Sequence, residues 1–321
     1  MAQPTNLYDK YDLNGAREDL IEKIYNTSPT ETPVTSAFGR TKASNTFHEW
    51  QRDSLASANK DNALIDGDDF SADSLTATER VGNYCQIFAK KPAVSRRANV
   101  VKKAGRAAEM AYQKAKAMLE IKRDIEAAVL SNNPAVAGNS STASKLGGLG
   151  VHLYTNISSG VGGSTASHTS GAPTTAPTNG TNRTFTETIL KTVIQSVYTS
   201  SGTCPPMAVM SASHKSTFSG FSGIAVNRFQ VGKKEQARII GGADVYMSDF
   251  GELEIVPHYI LSGAEDVFLI NPEYGELAFL DGFRTEEMGK TGDSEKMLIT
   301  ADVTLAVRAE KAMGKIADLT A

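Results

Sequence analysis

Residues Ser95 to Asn132 read SRRANVVKKAGRAAEMAYQKAKAMLEIKRDIEAAVLSN, with Pro92 ahead of them and Asn133-Pro134 behind. The stretch contains no proline and a single glycine, Gly105, and is otherwise built from Ala, Lys, Arg, Glu, Met, Leu and Ile. These residues lose little side-chain freedom in a helix. Small or apolar residues recur at Val101, Ala104, Ala108, Ala111, Ala115, Met118, Ile125 and Val129, in steps of three and four broken at Lys122. That period predicts one amphipathic helix over 95–132, roughly 50 Å long. Lys116–Glu120 and Lys122–Glu126 stand at i,i+4 and would add a few tenths of a kcal/mol each. A coiled coil fits less well, because an alanine seam buries little area and Lys122 interrupts it. The narrow alanine face suits a helix laid across a sheet as a spine.

On either side the chain changes character. Residues 1–45 hold little apolar area. One short helix is expected at 14–25, with Leu20 and Ile24 on its inner side, followed by extended backbone around Pro29 and Pro33. Residues 46–91 read as a long hairpin. Thr46–Arg52 alternates like a half-exposed strand and Tyr84–Lys90 answers it, with the acidic excursion 59–73 between them. Such a hairpin is stable mainly when covered. Phe47, Trp50, Arg52, Tyr84, Ile87 and Phe88, with Leu20 and Ile24 of the arm, are therefore the expected subunit-interface residues. Asp66, Asp68 and Asp69 lack the spacing and distant glutamate of an EF-hand, so a solvated loop is expected there.

After the spine, residues 146–182 carry no charged side chain, and 158–182 is dominated by Ser, Thr and Gly. A long loop is expected there, with a short strand at Val151–Tyr154. The glycine run Gly147-Gly148-Leu149-Gly150 lacks the lysine of a phosphate loop. From Thr184 a second layer begins: helices at 186–200 and 211–218, and short strands at 207–210, 238–240, 243–249 and 252–257. Strands return at 266–271, 277–280 and 298–306. The fold class is α+β, with the later strands supplying a sheet for the spine and an α+β region inserted between.

The 321-residue chain has a net charge of −3 and a pI near 6.0, which is not the balance of a dedicated nucleic-acid binder. It shows no signal peptide and no apolar run long enough to span a membrane. Cys85 and Cys204 lie far apart, and His48, His152, His168, His214 and His258 show no ligand spacing. No phosphate loop, nucleophile elbow or dinucleotide fingerprint appears. The expectation is no enzyme and no cofactor or metal. A cryptic hydrolase centred on His258 stands as the remaining catalytic alternative.

The order of arm, hairpin, spine, inserted layer and returning strands resembles the HK97-type major capsid proteins of tailed bacteriophages, and most closely the SU10-like family. The likeness is carried by Thr32-Pro33-Val34-Thr35-Ser36 leading to Trp50, by Glu109–Gln113 and Glu120–Glu126 of the spine, by Ser248-Asp249-Phe250-Gly251, and by Lys290-Thr291-Gly292-Asp293. The resemblance implies an N-terminal arm (1–45), an extended hairpin or E-loop (46–91), a peripheral domain (92–183 and 263–321) and an axial domain (184–262). It also implies a homo-oligomer of hexamers and pentamers forming an icosahedral shell, found in the virion and assembled in the host cytoplasm. Its implied partners are a portal, scaffold or decoration proteins, and packaged double-stranded DNA in weak non-specific contact. An encapsulin-like compartment holding cargo is the alternative assembly.

Overall fold

A computed structural model describes residues 26, 28–67, 75–221, 244–290 and 292–320. The expected arm helix with Leu20 and Ile24, part of the acidic excursion, and the expected strand at 238–240 lie outside the described residues.

The spine helix runs Glu109–Val129, shorter at both ends than the composition predicts. Upstream, Arg96–Val100 forms its own short helix capped by the Ser95 side chain, and the chain then turns through Gly105 at φ +75°. A left-handed residue cannot continue a right-handed helix, so the single glycine divides the stretch. The buried face also differs from the expected stripe. Met110, Ala117, Ile121, Ile125 and Val129 are buried and Met118 packs beside them, but Ala111 and Ala115 are exposed. Val101, Ala104 and Ala108 lie before the helix, with Val101 exposed. Alanines at three- and four-residue steps mark several faces equally. The bulky Ile121, Ile125 and Val129, each worth about 1.5–3 kcal/mol when buried, decide which one turns inward.

This helix lies on a five-stranded sheet. The strands run in the order Gly39–Lys42, Gly275–Met288, Ser294–Val307, Gln86–Lys90, and Ala93–Ser95 also pairs with Ser294–Val307. The two long strands pair antiparallel from Gly275↔Val307 to Met288↔Lys296, with register shifts near Asp281. They extend well beyond the expected 277–280 and 298–306, because their outer halves are polar and carry no alternation of buried residues.

A second, six-stranded sheet has the order Val245–Ser248, Gly251–Pro257, Met207–Met210, Val267–Ile270, Gly314–Ile316, Ile157–Ser158. Its central strands are buried on both faces, hence their unbroken apolar runs. Met207, Val209, Phe268 and Ile270 join the spine core. Ala208, Met210, Val267 and Leu269 pack with helix Glu187–Ser201 and with Phe218 of helix Ala212–Ser219. The returning strands are thus divided. The pair 275–307 completes the spine's sheet, whereas 267–270 and 314–316 join 207–210.

Three local expectations are corrected. Residues 149–152 form a helical turn rather than a strand. Within the Ser/Thr/Gly-rich stretch, Ser167–Thr169 and Ala172–Thr175 make a small hairpin, tied down by Gly82 N–H donating to the Gly171 carbonyl and Ala135 N–H to the Pro173 carbonyl. The arm is integrated from Pro33 onward. Helix Pro33–Ala37 and the parallel strand Gly39–Lys42 bury Val34, Phe38 and Ala43.

Candidate assembly interface

The hairpin places the expected interface residues. Phe47–Arg52 pairs antiparallel with Glu79–Tyr84, matching Phe47 to Tyr84, Trp50 to Val81 and Arg52 to Glu79. The Phe47 and Tyr84 rings meet across the strands, tilted by 38° with centroids 4.6 Å apart, a cross-strand aromatic pair of the kind that holds a register. Arg80 grips Glu49 with two hydrogen bonds, at 2.5 and 2.9 Å. Both groups are solvated, so the pair adds little stability. Phe47, Glu49, Arg80, Tyr84 and Thr174 line an open groove between this hairpin and the smaller one at 167–175.

The expected partner strand was 84–90, but only Tyr84 of it takes part. At Cys85 the strand is interrupted, and Gln86–Lys90 pairs instead with Ile299–Val303 in the spine's sheet. Neighbouring residues on that strand face opposite ways. Ile87 remains 67 % exposed, whereas Phe88 is buried with Ile121, Ile125 and Ile299. Phe88 is therefore corrected from a candidate interface residue to an internal core residue.

The face of the hairpin that carries Trp50 and Arg52 is covered by its own subunit. Trp50 meets His152 at 6.1 Å between centroids, His152 meets His168 at 5.9 Å, and His168 meets Tyr154 at 4.9 Å. Arg52 lies over Tyr154 and donates to its hydroxyl at 3.1 Å. Burial, with His168 and Arg52 nearby, holds His152 down to about 3. Burial, followed by Arg52, lowers His168 as well. These imidazoles are thus held neutral, and Trp50 Nε1 and His152 Nε2 have no hydrogen-bond partner among the described residues.

Beyond Arg52 the chain leaves regular structure, and here lie apolar residues the sequence reading did not single out. Leu55 is 99 % exposed, Leu64 68 %, Ile65 76 % and Leu75 92 %. The available signal was four large aliphatics in an otherwise polar loop.

His258 offers no cleft chemistry. Its side chain and that of Glu126 are fully buried, with Nε2 2.9 Å from Glu126 Oε1. Its Nδ1 accepts from Ile260 N–H, which leaves Nε2 to donate. Glu126 also accepts from Val34 N–H at 2.9 Å and Thr35 N–H at 2.8 Å. The expected Lys122–Glu126 pair is absent because Glu126 points inward, whereas Lys116–Glu120 forms at 3.8 Å. The hydrolase alternative is thereby replaced by a structural clasp joining arm, spine and the 251–257 strand. Both cysteines are free thiols, and burial followed by Asp302 pushes Cys85 up to about 11. Among the described residues no group of three His, Cys, Asp or Glu is placed to hold a metal, and no helix is long and apolar enough to cross a membrane.

A family model described as SU10 major capsid protein matches residues 3–320. A curated relative from Escherichia phage Phieco32, named "Major capsid protein", is 37% identical over 131 residues. That match spans 41% of this chain and 37% of the relative, little more than a third of its length. Among solved structures, the Cyanophage A-1(L) capsid asymmetric unit superposes with a TM-score of 0.69 at 12% identity, covering 99% of this chain and all of that one. A chain from Gordonia phage Cozz gives 0.61 at 9% identity, covering 95% and 91%. A chain of the capsid of an empty GTA particle gives 0.57 at 12% identity, covering 97% of each. The fold is the HK97-type capsid fold.

Proposed function

The chain belongs to the SU10 major capsid protein family, and from that premise we propose that its copies form hexamers and pentamers that close an icosahedral shell around phage double-stranded DNA. The functional surface is then a set of self-complementary contacts rather than a catalytic cleft. In this reading 1–45 is the arm, 46–91 the E-loop, 184–262 the axial domain, and 92–183 with 263–321 the peripheral domain, from which strands 267–270 and 314–316 reach into the sheet of 207–210.

The observation that carries the reading is the loop beyond Arg52. Leu55, Leu64, Ile65 and Leu75 expose large apolar side chains on a segment with no core beneath it. Such a surface is unfavourable in an isolated subunit and marks a contact site. Covering it with a neighbouring copy recovers about 25 cal/mol for each Å² of apolar area. Phe47 and Tyr84 stand at the base of the same hairpin, with Trp50 and Arg52 on its face toward His152 and Tyr154; Ile87, exposed on the adjoining strand, and Leu20 and Ile24 of the arm complete the proposed contact set. A portal, scaffold or decoration proteins and packaged DNA are further proposed partners. DNA contact on an inner wall needs only weak phosphate attraction, compatible with a net charge of −3.

The test is the double substitution Leu64→Lys, Ile65→Lys. Both side chains are solvent-exposed in the subunit, so secondary structure and thermal midpoint should match the unaltered protein while shells fail to form in electron micrographs. Unchanged shells would refute the loop's role.

A further inference from the structure

Three of the chain's five histidines, distant in sequence, gather around its only tryptophan. Between ring centroids, His48 lies 6.0 Å from Trp50, Trp50 6.1 Å from His152, His152 5.9 Å from His168, and His168 4.9 Å from Tyr154. His48, Trp50 and Arg52 alternate along one strand and so share one face of it. His152 and Tyr154 come from the 149–152 turn and its exit, and His168 from strand Ser167–Thr169. The row of rings therefore joins the hairpin to the body of the subunit. His152 is only 1 % exposed, and Trp50 Nε1, Arg52 Nε and His152 Nε2 are buried with no hydrogen-bond partner among the described residues. The root of the hairpin is held in another way. The Asn83 carboxamide donates to the Gly147 and Leu305 carbonyls and accepts from Gly147 N–H, and Thr304 Oγ1 donates to the Tyr84 carbonyl. Strand Phe47–Arg52, by contrast, has one hydrogen bond to the body among the described residues, from Arg52 to the Tyr154 hydroxyl. The root is bonded, and the part beyond it is held by ring packing.

We propose that this ring cluster is an acid-operated latch: protonation of His152 and His168 releases Trp50 and Arg52 from the body, and the hairpin swings about its root at 83–85. The charges around the rings favour this. Arg52 is the neighbouring cation, and its guanidinium is already bound to Glu79 at 3.2 Å. Glu310, beside Tyr154, is taken up by the Thr155 N–H and hydroxyl. His48 faces Arg308, which is itself paired with Glu276 at 2.6 Å. An imidazolium formed here meets cations and carboxylates that already have partners. Burial, followed by His168 and Arg52, accordingly holds His152 near 3. Burial, followed by Arg52, lowers His168 against the opposing Val151 backbone and Glu79, and burial, followed by Arg308, lowers His48 against Glu276. Once the latch parts, water reaches the rings and they titrate near their ordinary value of about 6.5. The open form then binds protons that the closed form refuses, so opening is favoured as pH falls. Each such histidine raises the opening constant by about tenfold per pH unit between the two values. That the released hairpin changes how copies join rests on the contact role proposed above. The latch itself is read in unassembled subunits, so its failure and a failure of that role are told apart.

Trp50, as the only tryptophan, reports the latch in the full-length, unassembled chain. Titrated from about pH 7 to about pH 4, its fluorescence should shift reversibly to the red while far-ultraviolet circular dichroism stays constant. Amide exchange at 47–52, corrected for its intrinsic pH dependence, should quicken by about tenfold per pH unit in the same range, and exchange at 83–85 should not. His152→Phe and, separately, His168→Phe keep a ring in place and take no proton, so each should weaken both responses. An emission that stays constant in the folded parent overturns the proposal. So does a red shift that coincides with loss of circular dichroism, or one that is undiminished in both variants. The parent titration decides on its own, so a variant that misfolds does not obscure the result.

Discussion

Replacing Glu126 by alanine tests how the arm is held to the spine. The carboxylate is fully buried and accepts three hydrogen bonds, from Val34 N–H, Thr35 N–H and His258 Nε2, at 2.9, 2.8 and 2.9 Å. Removing it strands two backbone donors and an imidazole. Each orphaned buried group costs about 1–3 kcal/mol, more for groups bonded to a charged acceptor. A loss of ~4 kcal/mol is expected. With about 2.1 cal/mol/K of unfolding entropy per residue, that lowers the Tm of a 321-residue chain by ~6 °C. The assay is thermal unfolding of unassembled subunits, with hydrogen exchange of residues 33–45 as the local readout. The pH dependence follows from the carboxyl. Burial pushes its pKa up, but the bonds from His258, Thr35 and Val34 outweigh this and hold it below 4.5. A depressed carboxyl contributes fully above the unfolded value and loses that contribution as pH falls through the folded one. The gap between parent and Glu126→Ala should therefore be full above pH 4.5 and narrow in stronger acid. A loss within ~1 kcal/mol, unchanged exchange at 33–45, or a gap that widens in acid would refute the clasp.

The rotated spine face predicts opposite outcomes for two neighbouring positions. Ile121→Ala should cost about 2–5 kcal/mol, whereas Ala111→Asp on the exposed side should stay within ~0.5 kcal/mol; chemical denaturation of both variants checks this. His152 is held near 3 against an ordinary 6.5, so the unfolded chain binds a proton that the folded chain refuses. Stability should then fall by up to ~1.4 kcal/mol per pH unit as pH drops through 6.5 toward 3. His152→Phe should flatten that limb in a pH series of unfolding midpoints. Cys85, with its thiol pushed up to about 11, should resist thiol reagents at neutral pH until the subunit unfolds, as followed by mass-labelling.

What could be read from the sequence divides by distance along the chain. The spine's existence and type follow from composition and period. Its start at Glu109 and its inward face do not, because Gly105 admits either a straight or a broken helix and alanine steps fit several faces. The hairpin's first strand is legible from alternation at 47–52. Its partner is not, since Glu79–Tyr84 shows no alternation and nothing in the sequence marks the break in pairing at Cys85. The clasp of Glu126 with His258 and the hydrogen bond from Lys315 to Asn132 join residues more than a hundred positions apart. No local period announces such pairs. The exposed aliphatics at 55, 64, 65 and 75 were visible as apolar residues in a polar loop, and their meaning needed the burial of everything around them.

The central claim, that the hairpin and its loop exist to join copies of this chain, is tested most directly by electron microscopy and sedimentation of the purified protein with and without residues 54–78. The account predicts hollow shells or hexamer and pentamer rings from the full chain, and folded subunits that do not close into shells from the deletion. Shells from the deleted protein indistinguishable from those of the full chain would contradict it.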